Sequence, residues 1–288
     1  MNINWETKLY CLIGHPISKS LSPIIHNNFF KLNNLNSIYL AFDIDEGEIK
    51  NTIHALKAIN VQGFNVTIPY KIKIMNSLDE ISKEAKLIGA VNTVKNENGK
   101  LIGYNTDGLG FLKSLEDKNI DIKNKNVLVI GAGGAANAIC TSLALAGINK
   151  IYINNRNIDK AKKLAKKLKI QFPNLNVNYG DLSLNNVFKE EIHMVINCTS
   201  VGMYPNIDEI PILLNGFSKD LIVYDIVYKP NKTKLLKIAE DNGYTTIGGL
   251  SMLINQGLYS EKIWLDKEIK NIFENRDKIK RILKKHVE

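Results

Sequence analysis

The sequence predicts an α/β protein of two domains. Strand-like apolar runs alternate with helical patterns from end to end. The 288 residues exceed the roughly 100–200 that one domain usually takes. A glycine-rich turn, Gly131-Ala132-Gly133-Gly134-Ala135-Ala136, falls directly between a strand pattern and a helical one. This alternation calls for parallel sheets, because a strand followed by a helix returns to the same end of the sheet before the next strand starts.

In the first third, Leu9–Ile13, Ile38–Phe42 and Phe64–Ile68 read as strands, with helical patterns at Pro23–Leu32 and Glu46–Ala58. Val91–Lys95 and Leu101–Tyr104 flank Asn98-Gly99, a strong two-residue hairpin signal. A helix from Asp107 to Leu115 leads out of this region. Near Lys125 a second unit starts with the strand Val127–Ile130, the glycine turn and a helix ending near Gly147. Ile151–Asn154, Val177–Tyr179, Met194–Asn197, Leu221–Asp225 and Tyr244–Ile247 follow as strands, the complement of a doubly wound nucleotide-binding domain. The stretch after Ser251 is helical and too short to fold alone, so it must pack on one of the two domains, the first being one choice.

Composition narrows the function. A hydrophobic fraction of 44% and a charged fraction of 23% belong to a globular chain rather than a disordered one. No apolar run approaches the ~18–20 residues that span a bilayer, and the opening Met-Asn-Ile-Asn-Trp-Glu lacks the pattern of a secretory signal. Cys11, Cys140 and Cys198 stand far apart with no CxxC pair, which argues against a disulfide framework. His15, His26, His54, His193 and His286 are too scattered to propose a metal site. The expectation is a reduced, cytoplasmic protein without metal. The net charge of +9 raises nucleic-acid binding, but the excess lysines in Lys160–Lys169 and Asp277–Lys285 fill the outer faces of amphipathic helices. No aromatic residues interleave with them, so neither a nucleic acid nor a membrane is the expected partner.

The turn at 131–136 fits G-x-G-x-x-A. Gly131 permits the tight turn, Gly133 lets backbone approach a pyrophosphate, Ala136 allows close helix–strand packing, and the helix start offers unpaired N–H groups to the anion. At the end of the next strand, NAD enzymes carry an acidic residue for the ribose 2′-hydroxyl. Here stand Asn154-Asn155-Arg156-Asn157 with Lys160 one turn on. A guanidinium in place of a carboxylate suits a 2′-phosphate, and so NADP.

Four polar clusters in the first third lie at strand ends: Ser20-Leu21-Ser22-Pro23, Asn65–Lys71, Ala90–Thr93 and Tyr104–Asp107. Taken singly, each has a structural reading. Ser22 is placed to cap a helix with Pro23 at its first position, Lys71 could be solvated, and Asp107 could cap the next helix. Capping does not account for Ser20. Together with a nicotinamide domain the clusters offer a carboxylate anchor, hydroxyl partners and a Lys71/Asp107 pair able to move a proton, the inventory for a polyhydroxylated acid.

These motifs resemble the shikimate dehydrogenases nearly end to end. The matching stretches are Gly14-His15-Pro16 through Asn27, Asn65–Lys71, Gly89–Thr93, Asn105–Gly108, Gly131–Ala136, Asn155-Arg156, Asn197–Met203 and Gly248–Gln256. The resemblance implies NADPH-dependent reduction of 3-dehydroshikimate to shikimate, a step toward chorismate and the aromatic amino acids. It implies an N-terminal substrate domain of residues 1–106, completed by helices at about 252–288, and a Rossmann-like NADP domain of residues 107–251. By position, Lys71 and Asp107 would be catalytic. Ser20 and Ser22 would hold the substrate carboxylate, and Thr67, Asn92, Asp107, Tyr228 and Gln256 its hydroxyls and carbonyl. Gly131, Ala132, Gly133, Gly134, Ala135, Asn155, Arg156, Asn157, Lys160, Ile226 and Gly249 would line NADP. Asn157 and Lys160 depart from the family's usual residues at the cofactor loop, and the ending around Trp264 departs as well. The rivals are an NAD-dependent quinate/shikimate dehydrogenase and a non-catalytic ligand sensor. Retention of both Lys71 and Asp107 argues against a sensor. The partner expected is a small molecule, bound by a monomer or homodimer.

Overall fold

The first third of the chain builds a six-stranded sheet from β1 (Lys8–Gly14), β2 (Ser37–Asp43), β3 (Gly63–Val66), β4 (Glu80–Ile81), β5 (Thr93–Glu97) and β6 (Lys100–Tyr104). The computed structural model describes residues 3–185, 187–266 and 269–287. The strand order is β2-β1-β3-β5-β6-β4, and the sheet is mixed rather than parallel. β1 pairs β2 and β3 in parallel, whereas β5 runs against both β3 and β6. The cause is local. Asn98 and Gly99 take φ of 52° and 87°, the two positive values a type I′ turn needs, and a two-residue turn can only join antiparallel strands.

Helices α1 (Ser22–Leu32), α2 (Ile49–Ala58) and α3 (Lys83–Ile88) connect these strands, and α4 (Asp107–Glu116) follows β6. The short β4 and α3 were not expected from the sequence. Ser82 caps α3 by accepting the Ala85 N–H at 3.1 Å, and Gly89 ends it in the left-handed region. The expected strand Phe64–Ile68 stops at Val66: beyond it the Thr67 N–H turns to the Ile13 carbonyl and the Tyr70 N–H to Thr67, closing a tight bend. The open edge at β2 is covered at Tyr39, whose main-chain N–H and C=O are both taken by the Asn27 side chain of α1, at 2.9 and 2.8 Å.

One face of this sheet packs Cys11, Ile13, Phe64, Val66 and Val94 against Ile53, Leu56 and Ile74. Toward the other face stand aromatic residues: Tyr10 lies 5.3 Å from Phe30 and 5.0 Å from Trp264, ring centre to ring centre. Trp264 belongs to α8 (Leu250–Leu265). Its indole N–H donates to the Val94 carbonyl at 2.9 Å, and its ring lies where a side chain on Gly63 would stand, 2.3 Å from an ideal Cβ. Beside it, His26 and Glu261 are both fully buried, with Nδ1 and Oε1 2.5 Å apart. Burial pushes the imidazole down to about 3 and the Glu261 carboxyl well up, so the pair is best described as neutral.

The second unit contains β7 (Asn126–Ile130), α5 (Gly134–Leu145), β8 (Lys150–Asn154), α6 (Ile158–Gln171), β9 (Asn176–Gly180), β10 (Met194–Asn197), β11 (Ile222–Asp225), α7 (Lys234–Asp241) and β12 (Thr245–Gly248). All its strand pairings are parallel, in the order β12-β11-β10-β7-β8-β9. Numbered within the unit this is 6-5-4-1-2-3, the doubly wound order of dinucleotide-binding sheets. Alternate residues of β7 face two cores, Val127 and Val129 into one and Leu128 and Ile130 into the other. In α6 the buried positions are Ala161, Leu164, Ala165 and Leu168, with the lysines outward or at the margin.

The chain groups into Met1–Gly110 with Ile254–Leu283, and Phe111–Leu253 with Lys284–Glu288. The divisions fall inside α4, α8 and α9 (Arg276–Val287). The sequence expectation gave all of 252–288 to the first domain, whereas the chain from Lys284 onward groups with the second.

At Gly63 any side chain would meet the Trp264 indole at 2.3 Å. Gly63→Ala should cost about 1–3 kcal/mol through overpacking against the indole, read as a lower Tm or denaturant midpoint. A midpoint at or above that of the unmodified protein would show that Trp264 yields freely.

Candidate active site

Three segments of the first unit leave their strands at one end of the sheet. Gly14 ends β1 before the loop carrying Ser20, Val66 ends β3 before Thr67 and Lys71, and Tyr104 ends β6 before Asp107. Asn92 reaches the same end because β5 is reversed: its first residue, Thr93, stands opposite both Asn65 and Tyr104. The antiparallel hairpin is therefore what brings Asn92 beside the other three.

There Lys71 Nζ donates to Asp107 Oδ2 at 2.6 Å. The lysine side chain is 26% exposed and the aspartate 12%. Asn92 Nδ2 donates to the other oxygen of Asp107 at 2.8 Å and to Thr106 Oγ1 at 2.9 Å, while the Thr106 N–H donates to Asn92 Oδ1 at 2.8 Å. The Asp107 N–H is taken by Asn105 Oδ1 at 3.0 Å. Gln256 Oε1 accepts from Asn92 at 3.4 Å. A further buried layer lies behind Asn92. Asn65 Nδ2 stands 3.0 Å from both Thr93 Oγ1 and Ser260 Oγ, and the Tyr39 hydroxyl donates to Asn65 Oδ1 at 2.8 Å. Sequence reading gave no role to Asn65, Thr106 or Ser260. The spacing of Gln256 and Ser260, four apart on one helix face, was the available signal.

Ser22 departs from its expected capping role. It is the first residue of α1, and the N-cap position is Leu21, which makes no side-chain cap. Ser20 does the capping instead, its hydroxyl accepting the Ser22 N–H at 3.2 Å. The Ser22 hydroxyl meets the Tyr39 phenol. Thr67 is half-buried and Gln256 partly covered, both in the first unit. Tyr228 lies in the second unit, half-buried, its phenol raised by burial.

In the second unit, Gly131 follows β7 with φ of 112°, and its N–H donates to the Asn154 carbonyl at 2.8 Å. A Cβ there would be strained by that φ and would press on the Cys198 carbonyl at 3.1 Å. Ala132 and Ala135 are half-buried and Ala136 fully buried, whereas Gly133 and Gly134 are exposed with open space above them. Gly133 caps α5 without any side-chain acceptor, so the first N–H groups of the helix are unclaimed by side chains. At the next strand end, the Asn155 amide donates to the Asn157 carbonyl at 2.7 Å, and the Asn157 side chain caps α6 by accepting the Lys160 N–H at 3.2 Å. Arg156 and Lys160 are exposed. Gly249 follows β12 so close to Ile226 that a Cβ would stand 2.0 Å from its carbonyl oxygen.

The three cysteines are buried and free, and burial pushes Cys11 and Cys140 up to about 12 and Cys198 well up, so none is a ready nucleophile. Among the described residues no cluster of three or more His, Cys, Asp or Glu side chains could hold a metal. Nor is any described helix long and apolar enough to cross a membrane.

Residues 12–94 match the model of the shikimate dehydrogenase substrate binding domain, and residues 114–204 that of shikimate / quinate 5-dehydrogenase. The NADP(+) shikimate dehydrogenase of Methanococcus aeolicus is 48% identical over 91% of this chain and 93% of its own length. The chain belongs to the shikimate dehydrogenase family. Among solved members, a shikimate dehydrogenase in complex with NADP+ superposes with a TM-score of 0.91 at 44% identity, covering 100% of this chain and 98% of that one. The Listeria monocytogenes shikimate 5-dehydrogenase in complex with shikimate and NAD gives 0.90 at 38% identity, covering 98% of both chains. The family's fold is thus the one described above, a mixed N-terminal sheet and a parallel doubly wound sheet.

One exposed pair holds the loop that carries Ser20. His15 Nδ1 lies 2.6 Å from Asp43 Oδ1, and the Ile17 N–H donates to Asp43 Oδ2 at 3.3 Å. The Asp43 hydrogen bond and charge raise His15 above 6.5 and lower Asp43. For a raised histidine the contribution is fully present below the unfolded value and is lost as pH rises through the folded one. The loop should therefore loosen on the alkaline side of His15's titration. Asp43→Asn should return the imidazole midpoint, followed by proton NMR, toward the ordinary ~6.5; an unmoved midpoint would dissolve the pair.

Proposed function

We infer that this chain is an NADP-dependent shikimate dehydrogenase, which reversibly reduces 3-dehydroshikimate to shikimate in the pathway toward chorismate and the aromatic amino acids. The observation that carries this reading is the Lys71–Asp107 pair, 2.6 Å apart at the strand ends and fixed by Asn92. A ketone oxygen gains negative charge as its carbon is reduced, and it must receive a proton. Lys71 brings three N–H donors, of which Asp107 engages one, leaving the others for that oxygen. In the oxidative direction the same nitrogen takes the proton back. Asp107 orients the lysine and accepts from a substrate hydroxyl.

We assign Ser20 and Ser22, at the start of α1, to the substrate carboxylate. Thr67, Asn92, Tyr228 and Gln256 serve its hydroxyls and carbonyl. The first unit, which includes Asp107 and most of α8, acts as the substrate domain, and the second unit as the NADP domain. The second unit fits that cofactor: the open space over Gly133 and Gly134 at an uncapped helix start suits a pyrophosphate. Gly131, Ala132, Gly133, Gly134 and Ala135 would cradle it, Asn155, Arg156, Asn157 and Lys160 would meet the 2′-phosphate end, and Ile226 and Gly249 would line the rest of the cofactor. The chemistry that NADPH supplies when bound is a hydride to the carbonyl carbon. Every residue assigned comes from one chain, so a monomer or a homodimer both serve. Three free thiols support a reducing compartment such as the cytoplasm.

The test is an assay of shikimate and quinate, each with NADP and NAD, following reduced nicotinamide. Shikimate with NADP should give the highest kcat/KM, and Lys71→Ala should lower kcat about 10²–10⁴-fold with a smaller change in KM. Near-normal kcat in folded Lys71→Ala would end the proton-donor assignment. Quinate with NAD matching or exceeding shikimate with NADP would move the chain to the quinate-oxidising relatives.

Arg156 carries the cofactor choice. Arg156→Ala should raise the KM for NADP roughly tenfold or more, a charged hydrogen bond being worth ~1.5–3 kcal/mol, with little effect on NAD. Equal losses with both cofactors would make Arg156 a loop support.

A further inference from the structure

The motif Asn197–Met203 and the strand end at Asp225 are used by none of the assignments above. Asn197 and Asp225 end the adjacent parallel strands β10 and β11, opposite each other in register, and both are fully buried. Asn197 Nδ2 donates to Asp225 Oδ1 at 3.0 Å. The Val227 N–H donates to the same oxygen at 3.0 Å, and the Thr233 hydroxyl to Oδ2 at 2.7 Å. Asn197 Oδ1 in turn accepts from the Thr199 N–H at 3.0 Å and the Thr199 hydroxyl at 2.7 Å. The Thr199 hydroxyl accepts the Val201 N–H at 3.1 Å.

Two side chains thus organise two loops, residues 198–203 and 226–233. Main-chain bonds tie those loops together, Ile226 N–H to the Asn197 carbonyl and Tyr204 N–H to the Lys229 carbonyl, both at 3.1 Å. The first loop lies under the glycine turn, with the Cys198 carbonyl against Gly131. The second carries Ile226 and Tyr228, with the Ile226 carbonyl against Gly249.

A buried carboxylate is a poor way to gain stability. Burial pushes Asp225 up to about 6 against the pull of its three donors, and well-packed apolar side chains commonly serve folding as well or better. What a carboxylate with directed donors supplies is a fixed geometry for the main chain that follows it.

We propose that Asn197 and Asp225 form a clasp that positions Ile226 and Tyr228 for the reaction, with Asp225 the positioning residue. This rests on the assignment of Ile226 and Tyr228 to the cofactor and substrate. Asp225 touches neither; it acts through the Val227 N–H and the Thr233 hydroxyl, which fix the loop on both sides of Tyr228.

The experiment compares the unmodified protein with Asp225→Ala, Asp225→Asn and Thr233→Val, measuring kcat and KM with shikimate and NADP, NADP affinity by calorimetry, and amide hydrogen exchange. Asp225→Ala should lower kcat about 10–100-fold, the size of a lost charged hydrogen bond. Its NADP affinity should fall by a smaller factor than kcat, since Arg156 and most of the residues assigned to the cofactor lie outside the two loops. Exchange should rise in residues 198–203 and 226–233. Asp225→Asn keeps a carbonyl for Asn197 and Val227 and can donate to Thr233, and should recover most of kcat. A folded Asp225→Ala protein with unmodified kcat or unmodified exchange in both loops overturns the clasp. Where Asp225→Ala does not fold, Thr233→Val removes one of the three bonds, together with the Thr233 cap on the Leu236 N–H of α7, and decides: a lower kcat with faster exchange in residues 198–203 as well as 226–233 supports the clasp, and unchanged exchange in 198–203 overturns it. The exchange readout needs no substrate. An unmodified enzyme inactive on shikimate therefore overturns the function assignment alone, and unchanged loop exchange in the variants overturns the clasp alone.

Discussion

The pairing of Lys71 with Asp107 depends on how firmly the carboxylate is held before the lysine arrives. Asp107 opens α4, where the helix dipole and free N–H groups favour negative charge. Asn105 fixes its main chain and Asn92 fills one oxygen, which leaves Oδ2 to the ammonium. At 26% and 12% exposure the two groups escape much of the screening that makes surface pairs weak. They also avoid the full desolvation that makes buried ones costly. Asn92 can do this only because β5 is antiparallel. With a parallel strand there, residue 92 would begin at the far end of the sheet.

Polar groups inside the first unit are numerous for a core, and those behind Asn92 have partners that fix their direction, whereas His26 Nε2 and Glu261 Oε2 are buried without a hydrogen bond. Tyr39, Asn65, Thr93, Ser260, Thr106 and Asn92 form a buried network linking β2, β3, β5, α8 and the segment before α4. An unpaired member would cost roughly 1–3 kcal/mol, so the network specifies one arrangement of these elements. The His26–Glu261 pair is fully buried, with His26 stacked on Tyr39 at 4.2 Å between ring centres. It joins α1, which starts beside Ser20 and Ser22, to α8, which carries Gln256.

The second unit meets the same demand with a different device. The central strands of its sheet are buried on both faces, so what is polar there sits at strand ends. Four of those ends carry a side chain or glycine that sets the following loop: Gly131 by its left-handed φ, Asn197 and Asp225 by hydrogen bonds, and Gly249 by its lack of a side chain.

Sequence by itself determined what rests on local chemistry. Hydrophobic period, the Asn98-Gly99 turn, the glycine turn after β7 and the exposed lysines of α6 are set within a few residues, and all were legible. So was the pairing of Lys71 with Asp107 as chemistry, through residue types at strand ends and through resemblance. Tertiary structure alone decided which end of the first sheet Asn92 reaches and that Ser20, not Ser22, caps α1. It alone made His26 a fully buried partner of Glu261, although 235 residues separate them. Gly63 yields its side-chain space to Trp264, and Asn197 meets Asp225 only because β10 and β11 pair in that register. Each of these depends on contacts between residues far apart in the chain. A residue's own neighbours fix its backbone preference, but its partner across a core is fixed only when the sheets have formed.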